Sequence, residues 1–188
     1  GQAAAAEVDG MEEAIEKGVT WLKEVNYKNG KFHYSGEGRQ KVRDPRPAMQ
    51  GIGTLCLQLL GHGDSDEVKT VSKRIRNNIS VSWDNHPEWP IYTWYYTTQA
   101  MFHAGKRYFD DWNERYAPMI VKNQNDVGYW ENLQGHGKTN KIYATTLAAL
   151  SLQVYYRYLP TYEDPGKAGK SKNVLEVGDE DDLDLETN

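Results

Sequence analysis

The side chains best suited to chemistry in this chain are aromatic rings with a polar tip. Trp83, Trp89, Tyr92, Trp94, Tyr95 and Tyr96 crowd into positions 83–96, and Tyr143, Tyr155 and Tyr156 follow in a later segment. Such rings stabilise a cation with their faces, stack on a sugar or grip a peptide, and they also simply fill cores. Gln99 and Glu88 are the polar groups nearest to them in sequence, and Asp44, Asp84 and His86 could lie at the same rim. The candidate ligand-binding residues are therefore Trp83, Trp89, Tyr92, Trp94, Tyr95, Gln99 and Tyr143, with no catalytic residue assigned.

Other reactive groups are sparse. The five histidines, His33, His62, His86, His103 and His136, form no i,i+4 pair, so no HExxH-type metal site is present, and no metal or cofactor is expected. Cys56, the one cysteine, sits among leucines in a helical stretch and reads as a buried structural thiol. With a single cysteine no intrachain disulfide can form, which leaves the compartment open. There is no G-x-S-x-G, P-loop or dinucleotide fingerprint.

The element that must position these groups is Pro90 to Gly105. It is apolar or aromatic on nearly every side, which marks a buried helix, with Pro at its start and Gly at its end. Two more helices of this kind are expected, from about Ala48 to Leu60 and from about Lys141 to Leu159. Amphipathic helices precede each: Asp9 to about Val25, opened by a capping box with Glu12; a helix to about Ile79, capped by Asp64, Ser65 or Asp66; and about Tyr108 to Asn123, where Pro118 predicts a kink or split. Asn29-Gly30 is a turn, and Lys31 to Pro47 reads as a loop from which Phe32 and Tyr34 tuck back onto the core.

Charge divides the chain. From Glu163 onward nine acidic residues face three lysines, so this stretch carries −6 and the body +1 of the total −5. The pI of 5.6 and the mean hydropathy of −0.81 are thus shaped by the tail. Expected are a disordered lead-in over 1–8, a helical domain over 9–162 and a disordered acidic tail over 163–188. The body carries no basic excess that would recruit nucleic acid, and no apolar run reaches the roughly 18 residues of a membrane span. Gly1 looks like a cloning remnant. The small residues Gln2 to Ala6 could follow a removed signal peptide, which favours an exported, periplasmic or secreted protein, or could be a simple lead-in.

The order amphipathic–buried recurs three times with a spacing of about 45 to 50 residues, the range of helical repeats. Two connections match as well. LKEVNYKNGKF, from Leu22 to Phe32, aligns with IVKNQNDVGYW, from Ile120 to Trp130, pairing Asn26 with Gln124, Gly30 with Gly128 and Phe32 with Trp130. The spacing from Gln124 through Gly128 to Trp130 resembles the Q-W motif of squalene and terpene cyclases, in which a side-chain amide and a tryptophan staple an outer helix to the following connection. The stretches YTWYYTTQAMFHAG, YFDDWNERYAPMIVKNQ, GYW and IYATTLAALSLQVYYRYLP together resemble the C-terminal part of bacterial prenyltransferase and squalene oxidase repeat-containing proteins, over about Val19 to Tyr162. That resemblance implies an all-α, α/α-toroid-like arc of three hairpins, about half of a ring of six.

The chemistry of the resembled families is not matched. Squalene-hopene-type cyclases use a DxDD acid, which Asp179-Glu180-Asp181-Asp182 fits as text; a strongly acidic Asp needs a dry pocket, whereas this run lies in the charged tail. Related protein prenyltransferases hold zinc with Asp, Cys and His, but no Asp stands two positions before Cys56. The Cys-Gly-Glu-Gln segment of complement-type thioester domains is absent. The expectation is a non-catalytic binding or assembly module, paired with itself as a ring-completing dimer or with an N-terminal half or protein partner. Two alternatives stand beside it: an isoprenoid enzyme resembling terpene cyclases or prenyltransferases, and a carbohydrate-binding or carbohydrate-active toroid with Trp83, Trp89 and Trp94 as stacking platforms.

Overall fold

A computed structural model describes residues 10–34, 46–134 and 140–154. The protein is all-α, with six main helices among these residues and one two-stranded hairpin. Helix α1 spans Met11–Thr20 and runs on through a wider π-helical turn, Trp21–Asn26; β1 is Tyr27–Lys28 and β2 Lys31–Phe32. Helix α2 is Pro47–Leu57 with a π-helical extension Gln58–His62, and α3 is Asp66–Asn78. Helices α4, α5 and α6 are Pro90–His103, Lys106–Lys122 and Lys141–Gln153.

The helices sort into two rows. α4 packs against both α2 and α6, forming an inner row, while α3 packs against α5 in an outer row. Lys23 at the end of α1 pairs with Glu67 of α3 at 3.7 Å, and Arg76 of α3 pairs with Asp111 of α5. The core lies between the rows: Val68, Val71 and Ile75 of α3 and Trp112, Tyr116 and Ile120 of α5 meet Ile91, Trp94 and Met101 of α4. Inside it, the Trp112 indole donates to Thr98 Oγ1 at 2.9 Å, and that hydroxyl donates to Trp94 O, so a buried hydroxyl is satisfied twice.

The inner helices α2 and α4 run in the same direction: Gly51 abuts Tyr96 and Thr97, and further along Gln58 Nε2 donates to Ala100 O at 3.0 Å. The face of α2 that is buried is its small and polar one. Ala48, Gln50, Gly51, Gly53, Thr54 and Leu57 are covered, whereas Met49, Ile52, Leu55 and Cys56 are half-buried. Glycine lets the backbones close in: a Cβ on Gly51 would stand 2.8 Å from Thr97 N.

Several local expectations meet different outcomes. α1 begins after Gly10 in the left-handed region with no side-chain cap, and Asp9 lies outside the described residues. Ser65 caps α3 by accepting from Val68 N at 3.4 Å. α5 passes through Pro118 without a break; that residue and Glu114, whose carbonyl loses its donor, are both exposed, so water can serve the carbonyl. Tyr34 does not tuck back: it is 61% exposed, with the Arg46 guanidinium 5.1 Å from its ring centroid. α6 is not covered all round, because only Ala144, Ala148 and Ser151 are buried and Ile142 is 81% exposed. The lead-in over 1–8, the acidic tail, Asp44, His136, Tyr155 and Tyr156 lie outside the described residues.

Candidate functional site

The aromatic candidates divide between two sides of α4. Trp94 points into the core, fully buried; its indole donates to Ser80 O at 2.9 Å and its ring stacks on Trp83 at 6.0 Å. It therefore offers no surface to a ligand. Trp89 precedes the helix in the left-handed region, φ 54°, a costly geometry for a bulky residue and one disfavoured before proline. It is held there by its N–H donating to Gln134 Oε1 at 3.2 Å and its carbonyl accepting from Thr93 N at 2.8 Å.

On the other side, tyrosines converge at the N-terminal end of the inner row. Tyr92, Tyr95 and Tyr96 fall on adjacent positions of the α4 surface, with edge-to-face pairs Tyr92–Tyr96 at 4.8 Å and Tyr95–Tyr96 at 4.9 Å. Burial, then the field and hydrogen bond of Tyr96 and the field of Tyr34, push the Tyr92 phenol up to about 12. The Tyr143 phenol of α6 is raised as well, by burial and by Tyr92. Tyr34, Tyr92, Tyr96 and Tyr143 thus form one group on half-buried or exposed rings. The sequence candidates Tyr92 and Tyr143 belong to this group, and Tyr95 meets it through the Tyr96 ring. Tyr34 and Tyr96 were not among them; Tyr96 shares the helix face with Tyr92 at i+4, a spacing that could have pointed to it.

Gln99, one turn beyond Tyr95 and Tyr96, is fully buried with neither amide atom hydrogen-bonded among the described residues. Glu88 and Asp84 are exposed, and His86 Nδ1 stands 3.0 Å from Pro87 O. Burial pushes the Cys56 thiol up, away from the thiolate that binds metal or attacks electrophiles. Among the described residues no three His, Cys, Asp or Glu groups stand close enough to hold a metal ion.

The two aligned connections each act as a tie. In the second, Trp130 is buried, its indole donates to Ile120 O at 2.7 Å, and its N–H donates to Thr145 Oγ1 of α6 at 3.1 Å. Gln124 Nε2 donates to Gly128 O at 2.9 Å across a turn that places Gly128 at φ 98°. In the first, Asn26 Nδ2 donates to His33 O at 2.6 Å, Asn29 and Gly30 both take positive φ, and Phe32 is buried. Gln50 of α2, which sequence reasoning missed, binds both backbone groups of Phe32, accepting at 3.2 Å and donating at 2.8 Å. An amide at one position of a buried helix is a weak signal by itself.

A cleft of about 230 Å³ lies between the hairpin, the start of α2, the end of α3 and the α3–α4 connection. Its walls include Lys31, Gln50, Arg74, Asn78 and Ser80 over Ile75 and Ile79.

No family model matches the chain, and no curated protein or solved structure matches it.

Proposed function

We propose that the chain is a non-catalytic binding or assembly module, a three-hairpin portion of an α/α-toroid-like repeat array whose inner row is continued by another copy of the chain or by a protein partner. One observation carries this reading. α4 is flanked on both sides by inner helices, whereas α6, apolar nearly all round, buries only Ala144, Ala148 and Ser151 and leaves Ile142 81% exposed with Leu147, Leu150 and Leu152 half-buried. A helix of that composition is normally covered on most sides. The expected solution state is therefore a dimer or a complex, and Ile142→Glu lowers the mass measured by light scattering without loss of helical signal. A wild-type chain that stays monomeric at high concentration and matches Ile142→Glu in mass would sink self-assembly, and leave a protein partner to be captured on the same face.

The tyrosine group supports a second reading, an enzyme that resembles terpene cyclases or prenyltransferases and acts on an isoprenoid. Half-buried rings with neutral phenols favour a cation at their faces. If this reading is right, an allylic diphosphate bound to the protein is turned over, and Tyr92→Ala abolishes turnover. Binding without turnover removes the enzyme and leaves a binding face.

A further inference from the structure

We propose that the cleft between the β-hairpin and the C-terminal turns of α3 binds a small organic anion, an oxyanion head carrying a compact apolar body. Its walls are asymmetric in a way that suits such a ligand. Lys31 and Arg74 place two cationic side chains on it, and none of the described residues that line it is acidic. Arg74 makes no ion pair among the described residues, unlike Arg76 two positions on, which is taken by Asp111. Asn78 and Ser80 add neutral polar groups to the same lining.

The floor is apolar. Ile75 and Ile79 are buried behind it, and Pro47 and Pro87 line it half-buried. A phosphate or carboxylate group alone would leave much of the 230 Å³ unfilled, and water against the proline rings is a poor occupant. A small aryl or alkyl group on the anion fills the remainder and covers the half-buried apolar surface of Pro47 and Pro87.

The walls are held in place by hydrogen bonds from behind. Gln50 grips both backbone groups of Phe32, fixing the strand that carries Lys31, and the hairpin register sets Lys31 opposite Lys28. Ser80 is fixed from behind, its carbonyl accepting from Trp94 Nε1 and its hydroxyl donating to Asn85 O at 2.6 Å. A guanidinium meets a phosphate or carboxylate in a two-pronged geometry, and the ammonium adds a point charge.

The test uses the whole chain and three probes followed by calorimetry: phenyl phosphate, inorganic phosphate and phenol. Phenyl phosphate is expected to bind saturably and at least about tenfold tighter than either fragment, and Arg74→Gln to weaken it by about ten- to hundredfold, the loss of a charged hydrogen-bonding group. Lys31→Gln, a second variant, should weaken it also. Arg76→Gln, which changes net charge equally but lies outside the cleft, should leave affinity unchanged. Equal binding by inorganic phosphate means an adventitious ion only and overturns the proposal. So does equal weakening by Arg76→Gln, or no saturable binding of phenyl phosphate.

Discussion

The connections that leave α1 and α5 solve one mechanical problem in opposite ways. Each must return the chain from an outer helix to an inner one and lock an aromatic residue under the turn. At the first, Phe32 is a passive wedge pressed into a notch at Gly53, and the active tie comes from the inner helix, whose Gln50 holds the strand by its backbone. At the second, the aromatic residue ties itself: the Trp130 indole reaches back to Ile120 O of the outer helix while Thr145 of the inner helix receives its N–H. The second arrangement joins both helices through one residue. The first divides the work, so it depends on a glycine and a glutamine that an alignment of the two loops does not include.

The largest expected effect follows from that dependence. A Cβ on Gly53 would stand 2.3 Å from Phe32 Cγ and 2.6 Å from both Cδ atoms, distances no packed pair tolerates. Gly53→Ala should destabilise the protein by about 3 kcal/mol through overpacking. Adding Phe32→Leu to Gly53→Ala should recover part of that loss, since the two sites touch and their effects are not additive. Urea unfolding of the single and double variants measures this; a neutral Gly53→Ala would show that the wedge is loose.

This dependence also shows what the chain does and does not announce in advance. α4 is legible because Pro90 and Gly105 bracket a segment with no polar face. The stripe Trp112, Tyr116 and Ile120 of α5 is legible by spacing and is buried as that spacing requires. The hairpin is not, because two-residue strands have no alternation to read, and only Asn29-Gly30 marks the place. The burial of α6 is misjudged for a different reason: composition says what a helix can bury, and only its neighbours say what it does bury. Nor does hydrophobicity identify the seam of α2, where Gly51, Gly53 and Thr54 are covered ahead of the leucines, since close backbone approach selects small residues over large ones. Of the site, the tyrosines of α4 are readable from the sequence, whereas the Arg74 and Lys31 cleft comes from segments far apart in the chain.

The ties themselves rank next. Gln50→Leu leaves the Phe32 N–H and C=O without their side-chain partner at a buried site and should cost about 2 kcal/mol. Trp130→Phe keeps the ring but removes the donor to Ile120 O, and should cost about 1.5 kcal/mol. Thermal unfolding of the pair tests whether the inner-helix amide outweighs the indole; the reverse order would make the second connection the stronger tie. The two aligned amides should differ in the same sense. Asn26 is 6% exposed, and Asn26→Ala is expected to cost about 1 kcal/mol more than Gln124→Ala, whose side chain lies at the surface.

The smallest effect appears only in alkali and links the first connection to the inner row. Tyr92 keeps its proton up to about pH 12 in the folded chain, through burial, Tyr96 and Tyr34, against an ordinary phenol value of 10.0. Between those two values the unfolded chain has released this proton and the folded chain still holds it, so the folded state binds more protons and its stability falls as pH rises. Below pH 10 the stabilising contribution is fully present. Tyr92→Phe removes the group, so the loss of stability between pH 10 and 12 should be shallower in that variant than in the wild type. Tyr34→Phe removes only the most weakly contributing neighbour and should shift the Tyr92 titration slightly downward, read by phenolate absorbance. No counterpart of Tyr34 is expected at the second connection, where Tyr129 lies against the Lys141 ammonium at 3.9 Å, so Tyr129→Phe should leave the Tyr92 titration where it is. A shift with Tyr129→Phe as large as that with Tyr34→Phe would mean that the two connections share one electrostatic surface, and the distinction between them would fail.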